Sequence, residues 1–311
     1  MLSQLDSLRK YTTIVADTGD FKTIKDLKPT DATTNPSLIL KAVQLEEYKP
    51  IIKKIKKDYK NASISEIYDR ITVAFGYEIL QIIPGRVSTE IDARLSFDIN
   101  KTIEKARFII KQYENLGISR ERVLIKIAAT WEGIKAASIL ELENIRCNLT
   151  LIFSIEQAIL CAEAKVKLIS PFVGRIYDWY KKHYDYQQYS IDPGVQFVTD
   201  VFNYYKSYDI KTEIMGASFR NTKQIIALCG CDLLTISPNL ISELKINYND
   251  NDIELALDKN KAKNLKINKL ILNEQSFRTK MNNNCMASDK LNEGIRLFIQ
   301  DTIKMESIID N

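Results

Sequence analysis

A chain of 311 residues with 45% hydrophobic and 27% charged side chains is long enough to bury a large core and too apolar to stay disordered. Its 44 basic and 40 acidic residues leave a net charge of +4, weak grounds for a nucleic-acid partner. A single histidine, His183, excludes a histidine-based triad or a multi-histidine metal site, and no run of about 18 apolar residues reads as a membrane span.

The N-terminal run MLSQLDSLRKY alternates polar and apolar residues at helical spacing. It lacks the apolar core and small-residue cleavage site of a signal peptide, so a cytoplasmic protein is expected. Strands are then predicted at 12–17 (TTIVAD), 31–35 (DATTN), 86–92 (RVSTEID), 123–127 (VLIKI), 147–152 (CNLTLI), 166–171 (VKLISP), 212–217 (TEIMGA) and 232–237 (DLLTIS). The segments between them, such as Ser37 to Tyr59, Asn100 to Leu116 and Ser154 to Ala164, carry apolar residues at helical spacing. Alternation of this kind builds parallel βα units, and eight of them predict an α/β protein made of one (β/α)8 barrel domain spanning 1–311, with extra helices at the C-terminus. After the first strand, Asp-Thr-Gly-Asp is too short for a G-x-G-x-x-G fingerprint, which argues against a dinucleotide-binding sheet.

Other features read as structural. Lys53 to Lys57 form a solvated helix face interleaved with isoleucines, and the Asn- and Lys-rich stretch 247–268 predicts an exposed loop region. His183, in Tyr-Lys-Lys-His-Tyr, reads as a surface residue. The five cysteines include Cys229-Gly230-Cys231, a C-x-C pair rather than a redox or zinc C-x-x-C, and are expected to be reduced and mostly buried.

The stretch RVLIKIAAT (122–130) sets Lys126 in an apolar run. Residues two apart in a strand share a face, so Leu124, Lys126 and Ala128 lie opposite Val123, Ile125 and Ile127. The β-branched set suits the outer surface under helices, which aims Lys126 into the barrel. The same parity aims Asp17, Asn35, Glu90, Thr150 and Ser170 inward near the C-terminal strand ends, where barrels of this kind carry their chemistry. Each alone has another reading: Asn35-Pro36 and Asp17-Thr18-Gly19 are turn sequences, Ser170-Pro171 suits a bend, and a strand-end lysine can snorkel. It is their shared face and shared end that makes a constellation.

An amine among apolar groups loses the solvation that favours its charged form, and the free base is the nucleophile. It adds to a carbonyl, loses water and leaves an iminium ion that draws electrons from an adjacent C–C bond. Dehydration and C–C cleavage both need proton carriers, and Glu90 and Asp17 are suitable carboxylates. Arg175 lies five residues past Ser170, while Ser218 and Arg220 start the segment after the seventh strand. A helix start with serine and arginine suits a phosphate, although arginines also pair with surface carboxylates.

Seven segments carry a family resemblance: VADTGD (15–20), DATTNPSLIL (31–40), PGRVSTEIDARLS (84–96), VLIKIAATWEGI (123–134), CNLTLIFS (147–154), LISPFVGRIYDWY (168–180) and MGASFRN (215–221). They resemble transaldolase of the longer, bacterial and eukaryotic type, and the resemblance continues into MASDKLNEGIRLF (286–298). It implies a metal-free and cofactor-free transfer of a dihydroxyacetone unit between sugar phosphates, in a cytoplasmic homodimer without nucleic-acid or membrane partners. By position, Lys126 is similar to the Schiff-base lysine and Asp17 to the acid/base of aldol cleavage. Glu90 resembles the carboxylate that moves protons with Thr150 and a water, and Asn148, with Asn35 and Ser170, resembles the holders of the dihydroxyacetone hydroxyls. Arg175, Ser218 and Arg220 resemble the phosphate site. The stretch 247–268 and Asn-Asn-Asn-Cys (282–285) depart from the family, which bears on loops and dimer contacts. A plain class I aldolase releasing free dihydroxyacetone, and a non-enzymatic binder of sugar phosphate or nucleic acid, remain as alternatives.

Overall fold

The computed structural model describes residues 2–184, 191–247 and 253–310. Eight strands pair in sequence order: β1 (Thr13–Asp17), β2 (Asp31–Thr33), β3 (Val87–Glu90), β4 (Val123–Ala128), β5 (Cys147–Ile152), β6 (Leu168–Pro171), β7 (Glu213–Gly216) and β8 (Leu233–Ile236). Every pair is parallel, and β8 returns to β1, closing the barrel. Helices between and around the strands make this the predicted (β/α)8 barrel, and the chain ends in a long helix, Cys285–Asp310.

Alternation along the strands sorts the side chains into an inner and an outer set. Val123, Ile125 and Ile127 pack outward with Ile14, Leu149, Ile169 and Ile214 under the helices. Inside, Val15, Leu124, Leu168, Met215 and Leu233 form a separate apolar layer. Below it the barrel is closed by ions: the Arg86 guanidinium reaches Asp31 at 2.9 Å and, on the far side, Glu213 at 2.8 Å. Above it, two residues further along, four of these five strands turn polar at Asp17, Lys126, Ser170 and Thr235, while β7 is followed by Ala217. Burial of both strand faces explains the near-continuous apolar runs, and it makes each polar exception conspicuous.

The outer helices follow from capping and periodicity. In Ile99–Asn115 the Asp98 carboxylate caps the first turn at 3.0 Å from the Lys101 N–H. Thr102, Ile103, Ala106, Ile109, Ile110 and Tyr113 then bury one face at three- and four-residue spacing. Asn35, Thr130 and Ser154 cap the helices after β2, β4 and β5 in the same way.

Some expectations shift. The segment from Ser37 to Tyr59 is two helices, Pro36–Val43 and Lys49–Asp58, joined through a 3-10 turn, with Pro50 in the first turn of the second. Strands 31–35 and 86–92 end early because Asn35 and Asp92 leave the ladder to cap the next helical turn. In the 247–268 stretch, residues 248–252 lie outside the described residues. The remainder is not simply an exposed loop: Ile253, Leu257 and Ala262 are buried, and Lys259–Lys263 is a short helix capped by Asp258. Three apolar anchors hold a polar strip against the barrel, and composition averaged over the stretch hides them. The Leu257 N–H bonds to the Cys229 carbonyl at 2.8 Å. Gly230, at φ +101, allows that approach, since a Cβ there would lie 2.2 Å from the Leu257 carbonyl oxygen. The C-x-C pair is thus a docking turn; Cys147, Cys161, Cys229 and Cys231 are buried thiols, and Cys285 is exposed. His183 is exposed, its ring stacked on Trp179 with centroids 4.3 Å apart. No helix among the described residues is long and apolar enough to cross a membrane.

Candidate active site

Parallel register sets Glu90 of β3 beside Lys126 of β4, and Lys126 beside Asn148 of β5. Lys126 is 4% exposed, and its ammonium lies 2.9 Å from Glu90 Oε2 while donating to the Thr34 carbonyl at 3.1 Å. The Glu90 contact has the distance of an ion pair but not the direction of a hydrogen bond, so Oε2, itself buried, accepts none. Burial raises the Glu90 carboxyl above its ordinary range, against the opposite pull of the Lys126 charge.

Asp17 ends β1 with part of its surface open to the cavity, deep within the barrel. Its carboxyl is raised first by burial, opposed by Lys126, by a 2.9 Å hydrogen bond from Thr33 Oγ1 and by Arg175. Thr33 is in turn 2.6 Å from the Thr235 hydroxyl. Two carboxyls that hold protons more tightly than usual therefore share one buried amine, Glu90 in contact with it and Asp17 within reach of its charge on the same cavity, a set able to pass protons around a nitrogen.

The β5 end is irregular. Register with β6 breaks between Leu149 and Ile152, and Leu151 sits at φ 57 in the left-handed region. Lys28, Asn144, Lys165 and Asp209 also have positive φ, but they end helices, where that conformation is common. Leu151 and Ser218 instead lie at strand ends beside the cavity. For a branched residue the strain is about 1–2 kcal/mol, held by the surroundings. Thr150, just before Leu151, points inward with a buried hydroxyl that has no partner. Asn148 accepts from the Ser170 hydroxyl at 2.7 Å and donates to Ser88 at 3.0 Å.

The opposite wall is cationic. Arg175 lies in the first turn of helix Gly174–His183, which starts without a side-chain cap. Its guanidinium packs 5.2 Å from the Phe172 ring centroid and 5.6 Å from that of Phe298, and its buried Nη1 has no partner. Burial lowers its pKa, partly offset by Glu293. Arg220 pairs with Asp178 at 2.7 Å and reaches toward the Ser218 hydroxyl at 3.4 Å. Gly174 permits the contact between the two loops: its N–H meets the Ser218 carbonyl at 2.5 Å, and a Cβ would lie 2.2 Å from that oxygen. A helix start without a side-chain cap, together with two guanidiniums, suits a dianion.

A cavity of about 340 Å³ joins the two ends. Of the residues expected from the sequence, Asp17, Asn35, Lys126, Thr150, Ser170, Arg175, Ser218 and Arg220 line it. Glu90 and Asn148 stand behind the lining, tied to Lys126 and Ser170. Asn35 uses its side-chain oxygen on the Leu38 N–H at 2.9 Å, capping the helix after β2. Sequence reasoning missed Lys41, from that same helix, and Phe298, from the C-terminal helix. Lys41 lies six residues beyond Asn35, just past the DATTNPSLIL segment, and that proximity was its one signal. Phe298 reaches the cavity because the last helix is pinned across the barrel: Asp301 binds Ser37, Glu306 binds Arg94 at 2.6 Å, and Asp289 binds Trp179 at 2.9 Å.

A family model described as transaldolase/fructose-6-phosphate aldolase matches residues 14–309.

Proposed function

The chain belongs to the transaldolase/fructose-6-phosphate aldolase family, and on that premise we propose that it is a transaldolase. It moves a dihydroxyacetone unit from sedoheptulose 7-phosphate to glyceraldehyde 3-phosphate, giving erythrose 4-phosphate and fructose 6-phosphate in the non-oxidative pentose phosphate pathway. The observation that carries the reading is one buried amine, Lys126, at the base of a cavity whose far wall is cationic, with the raised carboxyl of Glu90 against it and that of Asp17 on the same cavity.

Lys126 Nζ adds to the ketone carbon of the donor, forming a C–N bond. Glu90, through Thr150 and a water, delivers the proton with which the hydroxyl departs as water, leaving an iminium ion. Asp17 takes the proton of the C4 hydroxyl; the C3–C4 bond breaks, its electron pair moves to the iminium, and erythrose 4-phosphate leaves as the aldehyde. The remaining enamine attacks the aldehyde carbon of glyceraldehyde 3-phosphate, whose oxygen takes the proton back from Asp17. Water then hydrolyses the new iminium, releasing fructose 6-phosphate and free Lys126. Asn35, Asn148 and Ser170 hold the three-carbon unit, while Arg175, Ser218 and Arg220 hold the phosphate. The family resemblance further supports a cytoplasmic homodimer that uses no metal or other cofactor.

Borohydride with fructose 6-phosphate should attach the sugar irreversibly to Lys126, located by peptide mapping, and Lys126→Ala should abolish both trapping and transfer. Absence of trapping would sink the reading. The family description also names a fructose-6-phosphate aldolase, which releases free dihydroxyacetone. Comparing release with transfer to erythrose 4-phosphate separates the two, and the transaldolase-like segments support transfer.

A further inference from the structure

Gln157, in the first turn of helix Ile155–Glu163, has no exposed surface. A side-chain amide offers two donor hydrogens and two acceptor lone pairs, and here all four are used. Oε1 accepts the N–H groups of Phe153 at 2.8 Å and Ser154 at 3.1 Å, while Nε2 donates to the carbonyls of Ala129 at 2.9 Å and Leu151 at 3.0 Å. These partners fix the amide's orientation, because the flipped one would oppose donor to donor and acceptor to acceptor. The capping box of this helix accounts for the Ser154 bond alone.

The two carbonyls belong to the ends of the strands that carry the chemistry. Ala129 follows β4, which bears Lys126, and Leu151 follows Thr150. The Ala129 N–H also donates to the Thr150 carbonyl at 2.8 Å. Gln157 therefore spans β4 and β5 where register with β6 fails and where Leu151 adopts φ 57. Pairing resumes at Ile152, whose carbonyl accepts the Phe172 N–H at 3.0 Å, and between the two pairings it is this amide that takes the Leu151 carbonyl.

We propose that Gln157 is a positioning residue: by gripping the Ala129 and Leu151 carbonyls it fixes the turn after Thr150 and so aims the unpartnered Thr150 hydroxyl at the water above Lys126. This rests on the reading of Thr150 as a participant in imine chemistry. Gln157 does not line the cavity and touches no substrate. Its loss slows carbinolamine dehydration and iminium hydrolysis and leaves sugar-phosphate binding as it was.

A double-mutant cycle tests this, with kcat, KM and the time course of borohydride trapping by fructose 6-phosphate as readouts. Gln157→Met lowers kcat and the trapping rate by about tenfold or more with KM within about twofold, and in a Thr150→Ala background the same substitution changes the rates by less than about twofold. Losses that simply multiply, or a Gln157→Met protein with full kcat, overturn the proposal. A Thr150→Ala protein with normal trapping overturns the reading of Thr150 instead, while wild-type trapping on Lys126 stands apart from both. Should Gln157→Met not fold, Gln157→Glu keeps the oxygen that accepts from Phe153 and Ser154 and removes the two N–H donors to the carbonyls, and the same outcomes apply.

Discussion

Lys126 and Glu90 are register partners on β4 and β3, their charged atoms 2.9 Å apart with both side chains almost fully buried. Isolated burial of either charge is costly, and the pair is the one arrangement that keeps both at the barrel centre. Glu90→Gln keeps the shape and removes the carboxyl that we propose carries the proton. Its expected effect is a kcat lower by about 10²–10⁴, with KM changed far less and borohydride trapping slowed in step. Trapping at the wild-type rate would assign the proton transfer to another group.

Thr33→Val tests the other carboxyl. The Thr33 hydroxyl donates to Asp17 at 2.9 Å and so favours its charged form, opposing the upward effect of burial. Removing the donor raises the Asp17 pKa further, and the base form then needs a higher pH. The acidic limb of the kcat profile is expected to move to higher pH in the variant. A limb that stays in place, or moves down, contradicts Asp17 as the base in C–C cleavage.

The barrel and its amine were legible because both depend on a local period. Two-residue alternation alone aims Lys126 inward beside Leu124, and repeated along the chain it gathers Asp17, Thr150 and Ser170 onto one end. What stayed hidden is set by tertiary path. Phe298 enters the cavity only because the last helix crosses the barrel, a course fixed by Ser37, Arg94 and Trp179 far away in sequence. Leu151 gives no sign of positive φ, since a leucine there is held by neighbours rather than by its own preference. Buried anchors such as Leu257 vanish within a polar stretch for the same reason: one side chain's burial leaves average composition almost unchanged.

Gly294 of the C-terminal helix marks how tightly that helix presses on the site. A Cβ there would lie 2.7 Å from Leu151 Cδ2 and 3.1 Å from Arg175 Nη1. Gly294→Ala gains helix propensity of roughly 0.5–1 kcal/mol but crowds the flexible end of the Leu151 side chain and the Arg175 guanidinium, which we propose holds the phosphate. Steady-state kinetics should show KM for sugar phosphates raised several-fold, with trapping of unphosphorylated dihydroxyacetone on Lys126 little changed. Equal loss for both substrates would mean that the helix shift disturbs Lys126 itself.

Asp69 gives a stability prediction independent of the site. It is 1% exposed on helix Ile64–Leu80, paired with Lys105, and burial raises its carboxyl to about 6 even against that ammonium. The folded protein thus binds this proton more tightly than the unfolded chain does. The contribution is complete below the ordinary carboxylate value of 3.8 and is lost as pH rises through about 6. Asp69→Asn cannot ionise, and the unpaired Lys105 it leaves adds a cost that does not vary over this window. Urea unfolding across the window should therefore show the variant gaining on the wild type as pH rises, by at most about 3 kcal/mol. Parallel curves would mean that Lys105 compensates the buried charge fully and that Asp69 is ionised throughout.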